Sequence, residues 1–191
     1  ERTVTSFGLE NPSAKPDRAA AASDESETRV FSDLFCPICG GDLNVRDTKI
    51  RFLRNSEGTR DAYRLRRLAC RDCGKLHTEL PACMQPKKHY ATNVIEAVLD
   101  GMSGDCPADN STVSRWKAAF REAWSQLEGM LISLWSRYHK IPFPLTKEHS
   151  LLRTLQSNGP GWLAVVTGTL VNSGLKPHTR FAFCPSFFNG R

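Results

Sequence analysis

The sequence contains no run of 18 or more apolar residues, which excludes an ordinary membrane-spanning helix. It has no basic stretch followed by an apolar one near Glu1, so no secretory signal is expected in the chain as it stands. No His-Glu-x-x-His, no phosphate-binding glycine loop and no Ser-His-Asp grouping occurs. With those motifs absent, nothing in the sequence points to catalysis or to a small-molecule substrate. There is no internal repeat of 20 to 50 residues, so a solenoid or propeller is not expected. Acids are also scarce: 20 Asp and Glu stand against 26 Lys and Arg. That imbalance favours an anionic partner.

What is present begins with cysteine. Seven occur, an odd number, and four of them form two C-x-x-C pairs. Cys36-Pro37-Ile38-Cys39-Gly40 is matched by Cys70-Arg71-Asp72-Cys73-Gly74. Two residues between cysteines let a tight turn aim both sulfurs at one ion, and zinc takes four such ligands tetrahedrally. The glycine after each second cysteine supplies the left-handed backbone that the turn needs. The pattern therefore predicts one structural zinc on Cys36, Cys39, Cys70 and Cys73, with no open position for catalysis. Iron in a four-thiolate site is the chemical alternative. His77 follows Cys73 closely and reads as a residue that stabilises this site or touches phosphate. Cys83, Cys106 and Cys184 read as free or buried thiols.

Between the two pairs the sequence predicts two strands. Val45, Ile50, Phe52 and Leu53 populate the first, and Tyr63, Leu65 and Leu68 the second. Asn55-Ser56-Glu57-Gly58 marks the turn. Beyond Pro81 and Pro86, Val94, Ile95, Val98 and Leu99 define one face of a helix from about Tyr90, stopped by Gly101. A second helix, capped by Asp109, Asn110 or Ser111, carries Val113, Trp116, Phe120, Trp124, Leu127, Leu131, Leu134 and Tyr138 at steps of three and four. It reads as one long helix or as a pair broken near Gly129. Two shorter helices are expected at about Lys147 to Gln156 and Gly161 to Asn172. Phe181, Phe183, Phe187 and Phe188 call for a packing surface. The expected organisation is a flexible tail over 1–29, a zinc ribbon over 30–86, a helix-turn-helix-like region over 87–140 and a helical carboxyl-terminal region over 141–191. The fold class is α+β.

The bases concentrate in the ribbon. Ten lie between Arg46 and Lys75 against four acids. Arg51, Arg54, Arg64, Arg66, Arg67 and Arg71, extended by Lys87 and Lys88, are the candidate phosphate contacts, because a guanidinium forks onto phosphate. A solvated strand face is the plainer reading of the same charges. The start of the long helix, Ser111, Thr112, Ser114, Arg115 and Lys117, is the candidate reader of bases, with an ordinary amphipathic helix as its alternative.

The knuckles, together with Arg66-Arg67-Leu68-Ala69-Cys70-Arg71-Asp72-Cys73-Gly74-Lys75, His77, Glu79-Leu80-Pro81, Pro86, Tyr90, Cys106-Pro107-Ala108, Ser111-Thr112 and Arg115-Trp116, resemble a family of uncharacterised bacterial zinc-ribbon proteins. That family is similar to the amino-terminal zinc-ribbon and helix-turn-helix portions of transposases. The resemblance covers about residues 33–125 and implies DNA binding in a mobile-element or regulatory setting. It supplies no reaction: residues 126–191 hold only Glu128 and Glu148 as acids, too few for a transposase catalytic domain. The expectation is a cytoplasmic, non-catalytic, zinc-dependent DNA-binding protein, at the nucleoid if it binds DNA there. The rival readings are a protein-interaction or self-association module and RNA binding through the basic strands.

Overall fold

A computed structural model of the chain describes residues 35–140, 150–175 and 182–184. The expected tail over 1–29 lies outside them, as do Phe181, Phe187 and Phe188. The described residues form a mixed α+β structure with a four-stranded sheet and four helices.

Strands β1 (Leu43–Arg54) and β2 (Arg60–Cys70) pair antiparallel along almost their whole length, with one irregularity between Val45 and Asp47. The Asn55 side chain organises the turn between them: its Oδ1 accepts from the backbone N–H of Glu57 and Thr59. Gly58 there takes a φ of 81°, which a side chain would strain. Strand β3 (Leu76–Glu79) pairs antiparallel with β2. The fourth strand, β4 (Ala182–Phe183), comes from the carboxyl-terminal segment and runs parallel to β3. Sequence periodicity cannot reveal a two-residue strand, because its pairing is set by a partner about a hundred residues away.

Helix α1 (Thr92–Leu99) and helix α2 (Asn110–His139) follow β3. Gly129 does not break α2, which runs for 30 residues and spans about 45 Å. Helices α3 (Leu151–Ser157) and α4 (Trp162–Asn172) complete the set. Lys147 to His149, the expected start of α3, lie outside the described residues, and Ser150 is its cap.

Three acids do the work of capping. Asp109 accepts from Thr112 N–H at 2.7 Å and from the Ser111 hydroxyl at 2.6 Å, and these bonds, the hydroxyl first, lower its pKa to about 2. Its carboxylate therefore stays charged at the positive end of α2 until the pH falls toward 2. Glu128 on α2 accepts from the N–H groups of Leu151 and Leu152 and from the Ser150 hydroxyl, so α2 caps α3. Glu96 on α1 is buried, and its two oxygens accept from Gly161 N–H at 2.6 Å and Leu163 N–H at 2.9 Å. Without that carboxylate two backbone donors lose their partner, the one at Leu163 in a buried position. Glu96→Ala is expected to cost about 3 kcal/mol, read as a lowered urea midpoint with little change in slope.

Apolar burial divides into two clusters. The larger joins Leu53 and Leu65 on the sheet to Val94, Ile95, Val98, Trp116, Leu131, Leu152, Trp162, Leu163 and Leu170 on the helices. The smaller holds Cys36, Leu43, Leu68, Cys70 and Phe183. Among the described residues, that cluster is too small to hold a sheet end by hydrophobic burial alone.

Candidate metal centre and basic groove

The four paired cysteines converge on one point. Their Sγ atoms all lie within 4.8 Å of one another. Cys36 and Cys73 Sγ are 3.7 Å apart, and Cys39 and Cys70 Sγ are 3.4 Å apart. Four thiolates set tetrahedrally around zinc at its usual bond length would stand about 3.8 Å apart. The donor set and its spacing thus fit a four-sulfur metal site.

Each pair sits on a turn of the same construction. Gly40 N–H donates to Cys36 C=O at 2.8 Å, and Gly74 N–H donates to Cys70 C=O at 3.2 Å. Gly40 and Gly74 take φ values of 78° and 69°. The backbone N–H of Cys73 points at Cys70 Sγ, 3.5 Å away. Hydrogen bonding from that N–H, above all, lowers the Cys70 thiol to about 7, which favours the thiolate a metal needs. Burial pushes the Cys36 thiol the other way.

His77 is buried, with Nε2 3.2 Å from Cys36 Sγ. That position places it behind a ligand and out of reach of phosphate. A histidine there orients the sulfur it touches. Phe183 packs against the same cluster, and the Pro37 carbonyl sits 3.0 Å from where a Cβ on Gly174 would stand. Residues from the carboxyl-terminal part therefore close one side of the site. The sequence pattern located all four sulfurs and called for Phe183 to pack, but gave no sign that it or Gly174 would lie at this site.

The bases separate into two groups. Arg66 forks onto Glu79, with distances of 2.8 and 2.5 Å. Arg67 forks onto Asp47. Arg51 donates to the carbonyls of Gln85 and Lys88 and so ties β1 to the following loop. These three candidate phosphate contacts are engaged within the protein. Arg71 and Lys87 are exposed, and Lys88 is half-buried.

Arg54, Arg60 and Arg64 lie on the outer face of the β1–β2 pair. Register sets Arg54 opposite Arg60 and Arg64 opposite Ile50. Like charges directly opposite each other destabilise a sheet. Among the described residues, no ion pair offsets them. Arg54 instead lies over the Tyr90 ring, 5.7 Å from its centre. A groove of about 640 Å³ is lined by Ile50, Arg51, Phe52, Arg54, Arg60, His89, Tyr90 and Asp109. Arg60, Phe52 and Tyr90 were not singled out as site residues from sequence. Counting residues back from the Asn55 turn would have paired Arg54 with Arg60.

The start of α2 is not open. The Ser111 hydroxyl and the Thr112 N–H and hydroxyl are all bonded to Asp109. Arg115 curls back to the Ser111 carbonyl and the Thr112 hydroxyl, although it remains exposed. Ser114 is exposed, and Lys117 reaches the Ser103 hydroxyl at 3.4 Å. Trp116 is buried, edge-on to Tyr90 at 5.1 Å between ring centres. Among the described residues, no helix is long and apolar enough to cross a membrane.

No curated protein and no solved structure matches the chain. A family model matches residues 36–116, from the first cysteine of the cluster to the buried tryptophan of α2, and its description is a domain of unknown function, DUF6431, with no mention of transposases.

Proposed function

We propose that this chain is a non-catalytic DNA-binding protein whose sheet is stapled by one structural zinc on Cys36, Cys39, Cys70 and Cys73. The observation that carries the reading is the outer face of the β1–β2 pair. Arg54, Arg60 and Arg64 share that face, two of them directly opposite each other, and none forms an ion pair among the described residues. A sheet tolerates such a cost where an external anion offsets it. Arg66 and Arg67, already forked onto acids, shape the sheet and do not meet phosphate. Zinc acts by holding the knuckle end of the sheet together, while the Asn55 turn sets Arg54 opposite Arg60. The setting would be a mobile element or a regulatory site, and the compartment the cytoplasm.

The helix-turn-helix reading of α1 and α2 is secondary here. Asp109 holds a negative charge at the end of α2 that would meet the DNA backbone. The helix could read bases only through exposed Ser114 and Arg115.

The test is the salt dependence of binding to a labelled duplex, read by fluorescence anisotropy. The double variant Arg60→Gln, Arg64→Gln is expected to weaken binding and to flatten the log–log salt slope by up to about 1.8, since each phosphate contact contributes about 0.9. The double variant Arg66→Gln, Arg67→Gln is expected to keep the wild-type slope. Arg115→Ala is expected to change site preference and not the slope. Equal slopes for wild type and the Arg60, Arg64 variant would remove the basis for DNA binding at this face.

A further inference from the structure

The outer face that presents the arginines also presents apolar side chains to water. Phe52 is 57% exposed and Ile50 62%. Both occupy alternate positions of β1, so they stand on the same side as Arg54. Across the pair, Phe52 is opposite Ala62, whose small side chain leaves the ring uncovered. Arg60 and Arg64 flank Ala62 at two residues on either side, which makes them the diagonal neighbours of Phe52 at about 7–8 Å. Phe52 also lines the groove that contains Tyr90.

An apolar ring framed by unneutralised arginines does not suit the outside of a duplex, where only sugar and phosphate are offered. It suits a strand whose bases are free to leave the stack. The π face of any base lies flat on an aromatic ring while the flanking phosphates meet cations. Asp109 also lines the groove, and its carboxylate, held charged by its bonds to Ser111 and Thr112, repels phosphate where it stands. The groove volume of about 640 Å³ falls inside the range of about 300–1,000 Å³ that accommodates a ligand of several rings.

We infer that Phe52 is a stacking platform for an unpaired DNA base and that Arg60 and Arg64 hold the phosphates beside it. This rests on the DNA-binding reading above and narrows its target to single-stranded or locally unpaired DNA. The face is sequence-tolerant by this mechanism, because every base has a π face.

Anisotropy titrations with a short oligothymidylate, the matched duplex and the matched RNA distinguish the outcomes. Phe52 is exposed, so Phe52→Ala is expected to leave folding and metal content intact. It should weaken binding to the single strand about tenfold or more and leave its salt slope and the duplex affinity unchanged. Phe52→Tyr should bind like wild type, because the ring is kept. If Phe52→Ala binds the single strand as wild type does, while Arg60→Gln, Arg64→Gln weakens every DNA probe, the platform is wrong and the DNA-binding reading survives. If wild type binds no DNA probe at low salt, both fall together. Tenfold tighter binding of the RNA would overturn the assignment to DNA.

Discussion

Replacing Cys39 or Cys73 by serine is expected to abolish metal binding and to melt the knuckle end of the sheet. The reason is the size of the cluster there. Among the described residues, Cys36, Leu43, Leu68, Cys70 and Phe183 form a cluster too small to hold that end of the sheet by burial. In small zinc modules the binding energy of the ion, on the order of 10–16 kcal/mol, is folding energy. Hydrogen exchange locates the effect. Protection should vanish at Leu43 to Val45, Leu68 to Cys70 and Leu76 to Glu79. It should persist at Val94 to Val98 and Leu163 to Val171, which belong to the larger cluster or to the helices that build it. Ala182 and Phe183 should lose protection with the metal, because β4 is paired to β3. Uniform loss of protection across α1 and α4 would mean that the two clusters unfold as one.

The second large effect lies in the helical half. Trp116→Ala is expected to destabilise the protein by about 3–5 kcal/mol, since it removes a large buried aromatic and leaves a cavity. Trp116 lines a pocket of about 200 Å³ together with Ile95, Leu99, Phe120, Leu127, Leu163 and Val166, and it meets Tyr90 edge-on. Tyr90 in turn carries Arg54 over its ring. The loss should therefore reach the basic groove, and DNA affinity should fall together with the denaturation midpoint. Metal content should not change, because Trp116 and the cysteines belong to separate clusters. A variant of unaltered stability would show that the helical core does not depend on this ring.

The cysteine cluster was the most legible feature, because C-x-x-C-G imposes both ligand chemistry and turn geometry within five residues. The helices were legible for the same local reason: Val94, Ile95, Val98 and Leu99 mark one face, and Asp109 caps the next element. The fate of the charges was not legible. Arg64, Arg66 and Arg67 are near neighbours in sequence, yet Arg66 meets Glu79 and Arg67 meets Asp47, while Arg64 is exposed. That sorting depends on strand register and on the irregularity after Val45, both tertiary properties. The tertiary caps were hidden similarly. Nothing local to Gly161 announces that Glu96, some sixty-five residues earlier, will bind its N–H.

The proposed zinc on Cys36, Cys39, Cys70 and Cys73 is central, since it would hold the knuckle end of the sheet together. X-ray absorption at the zinc edge on the purified protein tests it most directly. The expected spectrum has one zinc per chain surrounded by four sulfurs at about 2.3 Å. A shell of three sulfurs and one nitrogen would instead put His77 in the place of a cysteine, and an absence of bound zinc would contradict the centre altogether.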